Sequence, residues 1–399
     1  MAASMPRFSK PPSLVILVLV GWLVLACLPL VSTAPNRLLS GQGQGLWQVL
    51  ETTGTPWKAS ILTLAVTLFI CLVGLCLRRW QKRCSTLILI LLVCAVWGLT
   101  ALAGQFAALS FTQTDGLGRI TLSGGFWLML LLAWLAANDA LRRVRASNLA
   151  VSCYWVTVLV GLLVLITSGA LDSLSSLREY ANRQEDFWRA LAQHIHIIAL
   201  TTGLTVVIGL PLGVAIHRRP AWARRIFPLL NLVQTIPSIA LFGLLIAVLA
   251  WLGKVFPLLP AWGIQGIGLA PAVLALTLYS LLPLVRSTRE GLSQLPQALT
   301  ESGKAMGLSN SQLFWQVELP LAFPVILSGL KVMLIQSIGL TAVAALIGAG
   351  GLGALMFEGL FSSAVDLVIL AVMPIVVLTW LAEAFFMALT ALSRQWIRA

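Results

Sequence analysis

The sequence predicts an all-α polytopic membrane protein with about ten transmembrane helices, and two observations carry that prediction. First, 59% of its 399 residues are hydrophobic and 10% are charged, with a mean hydropathy of +0.96. An ordinary soluble domain is roughly 25% charged. Second, the apolar residues fall in long unbroken runs. Bilayer hydrocarbon offers backbone groups no hydrogen-bond partner, so only helices or a closed barrel can cross it. Runs of this length read as helices.

A crossing helix needs about 20 largely apolar residues. Segments near 13–31, 59–77, 86–104, 120–138, 150–169, 193–216, 227–251, 264–285, 321–346 and 366–390 meet that length. The fourth is interrupted at its start by Gly124 and Gly125, and the orientation of everything after it depends on it. Cytoplasmic loops collect Lys and Arg, which tests the count. With the N-terminus inside, the inner segments hold eighteen Lys and Arg and the outer segments seven, while Lys331 falls within a span. Both termini are therefore expected on the cytoplasmic side. The net charge of +13 follows from this topology and does not point to nucleic acid.

Six cysteines at 27, 71, 76, 84, 94 and 153 sit in or beside apolar runs without CxxC spacing, so neither a disulfide nor a metal role is expected. Arg7 and Lys10 precede the first run as they would in a signal peptide. Because the run is longer than the usual 7 to 15 residues, a retained anchor is expected.

The chain reads as two halves. Residues 1–170 form an N-terminal extension of about five plain helices, residues 171–192 a solvated outer linker, and residues 193–392 a core whose spans contain Pro and Gly. That core carries an inner loop at 286–320, far longer than the 2 to 8 residues usual between packed helices. Within it, Thr300 is placed to cap a helix starting at Glu301. Gly307, Leu308 and Ser309 then read as a helix end, a turn and a second start.

This stretch resembles the EAA loop of ABC importer permeases, in which Glu-Ala-Ala, three residues, Gly, nine residues, an aliphatic, any residue and Leu-Pro recur. Glu301, Ser302, Gly303, Gly307, Val317, Leu319 and Pro320 stand at those spacings, with Ser302 and Gly303 in place of the two alanines. In that family the loop couples to the ATPase. The small residues would let it approach a partner closely, Glu301 would supply an acceptor, and Pro320 would pass motion into the ninth span. A second resemblance, over about residues 194–360, is to permeases for glycine betaine, choline and related osmoprotectants. It is carried by NLVQTIPSIALFGLL, ALTLYSLLPLVRSTREGL and LIQSIGLTAVAALIGAGGLGALMFEGL. With its N-terminal extension the chain is most similar to the low-affinity glycine betaine permeases of Gram-negative bacteria.

The resemblance implies a type I ABC permease core in the C-terminal half and a place in the bacterial cytoplasmic membrane. The expected partners are a cytoplasmic ABC ATPase subunit, an extracytoplasmic solute-binding protein, a second permease subunit (identical or related) and membrane lipid, with no nucleic acid. ATP and Mg would be bound by the ATPase, and no cofactor by this chain.

Polar residues at membrane depth are costly and usually line a cavity or a helix interface. Gln234, Thr235, Pro237 and Ser238 would kink and hydrate the seventh span; Thr277, Tyr279 and Ser280 the eighth; and Gln336, Ser337 and Thr341 the ninth. They are the translocation-path candidates, and interhelical hydrogen bonds are the equally weighted alternative. Lys331, roughly 16 Å along a helix from Pro320, would snorkel, pair with an acid or meet backbone carbonyls, and a structural role is expected for it.

Gly348, Gly350 and Gly353 satisfy GxGxxG, but they follow a membrane span rather than a soluble strand. With Gly351 they read as a glycine-rich re-entrant turn at the outer mouth. Neither Gly-Lys pair lies in a Walker A context. His194 and His196, two apart, point to different sides of a helix, and neither HExxH nor GxSxG occurs. No catalytic or metal residues are assigned. The expected function is import of glycine betaine or a related osmoprotectant, driven by ATP hydrolysis on another subunit. The alternatives are an amino-acid importer such as one for methionine, and an ion-coupled secondary transporter. The last predicts inverted repeats and acids within the membrane, neither of which the sequence reading finds.

Overall fold

The computed structural model describes residues 13–35, 41–54, 58, 60–61, 64–69, 71, 81–113, 118–261 and 263–398. They form two compact units, residues 1–182 and 183–399. Among the described residues, eight helices are long and apolar enough to cross a membrane, and two shorter apolar helices join them at Ser13–Cys27 and Leu352–Phe361. Most of the second expected span, 59–77, lies outside the described residues.

In the first unit α1 (Ser13–Cys27) is followed by strands β1 (Val31–Ala34) and β2 (Gln42–Gln44), then α2 (Leu46–Thr53) and the long α3 (Gln81–Gln113). Strand β3 (Arg119–Leu122) precedes α4 (Gly124–Val144), α5 (Asn148–Thr167) and α6 (Ser175–Asn182). The three strands form an antiparallel sheet in the order β2-β1-β3, with Val31 opposite both Gln44 and Leu122. This sheet is not legible in the hydropathy, because each strand has only three or four residues. It displaces the start of the fourth span. Residues 119–122 pair as a strand, Ser123 takes the N-cap position, and the helix begins at Gly124.

The segment at 171–192, expected to be solvated, folds. Leu171 and Leu174 are buried, and α6 turns Ser175 and Glu179 inward. There Ser175 Oγ accepts from the Ile120 N–H at 2.7 Å and Glu179 pairs with Arg119. Burial of one acid against one base repays desolvation only with close geometry, and β3 provides it.

The second unit starts at α7 (Gln184–Arg218), about four turns longer at 3.6 residues per turn than the roughly 20 residues a span requires and beginning nine residues before the expected start at 193. It continues through α8 (Pro220–Thr235), α9 (Ser238–Val255), α10 (Leu258–Ala261), α11 (Leu269–Ser293), α12 (Gln297–Ala305), α13 (Asn310–Leu313), α14 (Leu319–Ala344), α15 (Leu352–Phe361) and α16 (Val365–Arg398). Helices α7, α11 and α14 form its centre. They approach closely because Gly209 and Gly213 of α7 face Leu284 and Thr288 of α11, and a Cβ at 213 would lie 2.6 Å from the Thr288 Cβ. Small residues four apart are the usual device for close helix contact in lipid, where packing rather than hydrophobicity drives association.

The expected kink in the seventh span is a full break. Ile236 and Pro237 are extended, separating α8 from α9, because the residue before a proline is pushed out of the helical region. The sequence reading placed no helix between the ninth and tenth spans, yet α15 occupies that interval.

Candidate functional site

The loop between α11 and α14 contains two helical pieces. Helix α12 starts at Gln297 with Pro296 at its N-cap, four residues earlier than expected. Thr300 is therefore inside the helix, where its hydroxyl donates to the Gln297 carbonyl at 2.8 Å. The helix ends at Met306, and Gly307 follows at φ +84°, a conformation that costs residues with a Cβ. Ser309 then caps α13 reciprocally with Gln312: the Gln312 N–H donates to Ser309 Oγ at 3.3 Å and the Ser309 N–H to Gln312 Oε1 at 2.9 Å. This is a capping box.

Between α13 and α14 lies one π turn, Phe314–Glu318, in which the Leu319 N–H reaches back five residues to the Phe314 carbonyl. Pro320 has no N–H to donate to the preceding turn, and the wider turn accommodates that loss. Such π turns cluster at functional sites.

Glu301 and Ser302 are exposed, whereas Gly303 is buried. A Cβ at Gly303 would meet Leu313 Cδ1 at 2.6 Å. Its small size therefore serves the fold of the loop itself, by letting α12 seat on Leu313, rather than approach to a partner. The apolar side chains that do face outward are Leu299, Met306 and Trp315, at 44%, 75% and 64% exposure. The loop is also tied to the end of α7, where the Arg218 guanidinium stands 5.2 Å from the centre of the Phe314 ring. Nothing in the sequence spacing indicates that contact.

Of the polar residues at membrane depth, several join helices. Gln234 Nε2 donates to the Tyr279 carbonyl and the Tyr279 hydroxyl to the Ile236 carbonyl. The Ile236–Pro237 break frees backbone carbonyls, and α11 supplies the donor. Ser280 and Ser337 are both fully buried and hydrogen-bonded to each other at 2.9 Å. Thr341, also buried, donates to the Ser337 carbonyl at 2.7 Å, and Thr235 donates to Leu232 O. Thr277 is buried, Thr235 and Pro237 are exposed, and Ser238 and Gln336 are half-buried. The group thus divides between a buried seam, around 280 and 337, and accessible positions at the α8–α9 break and on α14.

The glycine turn after α14 takes its shape from left-handed backbone at Gly348, Gly350 and Gly351, with φ of +79°, +77° and +77°. Gln193 Nε2 donates to Ala349 O at 2.9 Å and the Gly268 N–H to Ile347 O at 2.9 Å, so α7 and the start of α11 both hold it. Gly353 serves close packing: a Cβ there would lie 1.9 Å from the Ala342 carbonyl oxygen.

Lys331 pairs with an acid, one of the three arrangements expected of it, though the sequence reading did not identify which acid. Its Nζ lies 2.8 Å from Glu383 Oε1, linking α14 to α16. Glu383 lies inside the tenth expected span, so the statement that no acid lies within the membrane spans is corrected. The signal was present as a single carboxylate in an apolar run. Among the described residues no group of three or more His, Cys, Asp or Glu is placed to hold a metal ion.

Residues 205–399 match the binding-protein-dependent transport system inner membrane component family, and residues 9–177 match the N-terminal domain of the ABC transporter permease YehY. The osmoprotectant import permease protein OsmW of Salmonella typhimurium is 41% identical over 206 residues, covering 50% of this chain and 89% of that protein. The glycine betaine/carnitine/choline transport system permease protein OpuCD of Bacillus subtilis is 32% identical, covering 50% of this chain and 82% of that protein. Among solved structures, an inward-facing conformation of the MetNI methionine ABC transporter is 24% identical, with a TM-score of 0.45, covering 53% of this chain and 98% of that one. Eight long apolar helices, the family match over 205–399 and relatives covered over more than four-fifths of their length together make this chain a member of the binding-protein-dependent transport system inner membrane component family, the membrane-embedded permease subunits of ABC transporters.

Proposed function

We propose that this permease subunit serves an importer of glycine betaine or a related osmoprotectant in the bacterial cytoplasmic membrane, with both termini cytoplasmic. The names of its relatives support that solute class: osmoprotectants for OsmW, and glycine betaine, carnitine and choline for OpuCD. ATP and Mg are bound by a separate cytoplasmic ATPase. An extracytoplasmic binding protein delivers the solute, and a second permease subunit, identical or related, completes the pathway.

The observation that carries the coupling role is the loop at 286–320. Its helix α12, glycine turn and capped α13 leave Leu299, Met306 and Trp315 exposed beside Glu301, an apolar knob with an acidic neighbour suited to a groove on the ATPase. The π turn at 314–318 and Pro320 join that knob to α14, so displacement of the loop tilts a helix of the permease centre. Translocation runs past the accessible polar positions Gln234, Thr235, Ser238 and Gln336. The buried seam of Ser280, Ser337 and Thr341 acts as the pivot on which the helices turn. The glycine turn closes the outer end.

Uptake of radiolabelled glycine betaine, choline and methionine in cells lacking their other carriers, with and without this gene, tests the reading. Gene-dependent uptake of betaine or choline is expected. Gene-dependent methionine uptake with unchanged betaine and choline uptake would replace the osmoprotectant reading with an amino-acid importer.

A further inference from the structure

The first unit holds a cavity of about 230 Å³ that neither the coupling loop nor the buried serine seam uses. It lies among α1, α3, α4 and residues 60–68, and it exists because facing positions are small: Gly21 on α1, Ala95 and Gly98 on α3, and Ala133 on α4. Its walls run from Leu17 to Leu25 along α1 and from Phe126 to Ala136 along α4, roughly 12 to 15 Å at 1.5 Å per residue. The cavity is therefore a slot along the helices. At one end Leu25 and Phe126 belong to the apolar cluster beneath the three-stranded sheet, with Leu46 and Ile61 packed on it. At the other end Leu17 and Leu68 belong to the second cluster of this unit.

No charged or amide side chain lines the slot, and Ser60 supplies its one hydroxyl. A trapped water needs roughly 2 to 4 polar partners, whereas an apolar cavity of about 150 Å³ stays dry and takes up apolar molecules. This slot is larger and is walled by membrane helices. Left empty, its walls would forfeit dispersion contacts, which are the interactions that hold helices together in lipid. The sheet end has a different chemistry. Beside Leu46 stands Trp47, 65% exposed, and Lys58 Nζ lies 5.6 Å from the centre of the Trp47 ring. Ser60, two residues beyond Lys58, is exposed and lines the slot. Among the described residues no ion pair involves Lys58. Tryptophan and lysine side chains of this kind anchor a protein at the level of lipid headgroups.

We propose that the slot holds one acyl chain of a membrane phospholipid, with the phosphate of its headgroup on Lys58 beside Trp47. The two parts of the site match the two parts of such an amphiphile: an apolar length for the chain, and a cation at one end for the phosphate. A hydrocarbon without a headgroup has no use for the lysine, and a soluble anion has none for the slot. A chain seated there completes the packing of α1, α3 and α4, so the lipid is bound by the folded unit and stabilises it. The N-terminal extension thus carries a ligand site of its own, independent of which solute the importer moves.

The test uses the full-length protein, purified in detergent, exposed to phosphatidylglycerol and washed, with retained lipid counted by native mass spectrometry. Wild type should keep a single phospholipid per chain. A Cβ at Gly98 meets no atom within 4 Å, so Gly98→Leu extends into the slot without displacing a neighbour, and Ala133→Leu fills it from α4. Each filling should lower retention by about fivefold or more, because the chain loses the space in which it makes its contacts. The unfolding temperature of each lipid-free filled variant should match or exceed that of lipid-free wild type. Lys58→Met should lower retention severalfold with folding intact. No lipid retained by wild type, or retention unchanged in both filled variants, would overturn the site. A lower unfolding temperature in both filled variants would show that protein already occupies the slot, with the same consequence. Retention by Lys58→Met equal to that of wild type would overturn the phosphate contact, and with it the phospholipid assignment, in favour of an apolar ligand without a headgroup.

Discussion

Ser280 of α11 and Ser337 of α14 share a hydrogen bond of 2.9 Å while both side chains are wholly buried. Ser337 also donates to Met333 O, and Thr341 to Ser337 O, so the interhelical bond sits among hydroxyls that also bond back to carbonyls of α14. Interhelical bonds of this kind contribute about 0.6 to 2 kcal/mol in membranes. A Ser280→Ala and Ser337→Ala double-mutant cycle, read by thermal unfolding of the purified protein in detergent, should give a coupling energy of about 1 kcal/mol. Full additivity would show that the contact contributes nothing to stability.

Gly307 holds φ +84° with open space around it, so bulk and backbone strain at this position can be separated. Gly307→Asn, which tolerates the left-handed region, should keep solute-stimulated ATP hydrolysis within about twofold, a shift of roughly 0.4 kcal/mol. Gly307→Trp should abolish that stimulation while the protein still inserts in the membrane. Normal stimulation in the tryptophan variant would count against a docking role for the loop.

At Gly353 the prediction concerns stability alone. A methyl group would be forced to within 1.9 Å of the Ala342 carbonyl, and overpacking of this kind costs about 1 to 3 kcal/mol. Gly353→Ala should lower the unfolding temperature, whereas Ala354→Leu at the exposed neighbouring position should leave it nearly unchanged. Equal effects of the two would refute the close approach of α15 to α14.

The charge distribution predicts orientation. In a background without the six native cysteines, Ala146→Cys and Ala221→Cys should react with a membrane-impermeant thiol reagent only after the cells are opened, and Thr52→Cys in intact cells. The reverse pattern would invert the topology.

Helical class and the positions of most spans were legible in the sequence, because each depends on a local quantity, whereas α11 continues to Ser293 into the stretch expected as loop. Apolar run length decides whether a segment can cross a bilayer. Glycine and proline punctuate at fixed offsets, as Gly307 and Pro320 do here. Boundaries were less legible where a short element intervened: β3 took residues 120–122 from the fourth span, and the Ile236–Pro237 break divided the seventh.

Within the candidate site, the sequence by itself determined which residue types stand at membrane depth and in the loop, and only the tertiary structure decided what each one meets. Gly303, read as a small surface for a partner, is occupied from within by Leu313. Gln234, read as a path residue, reaches from the end of α8 to the Tyr279 carbonyl of α11, 45 residues on. Lys331 finds Glu383 at a separation of 52 residues. Hydropathy sums over neighbours along the chain, whereas the cost of a buried charge or an unpaired carbonyl is met by whichever helix packs alongside, and that helix is chosen by close contacts such as Gly213 against Thr288, which no local window contains.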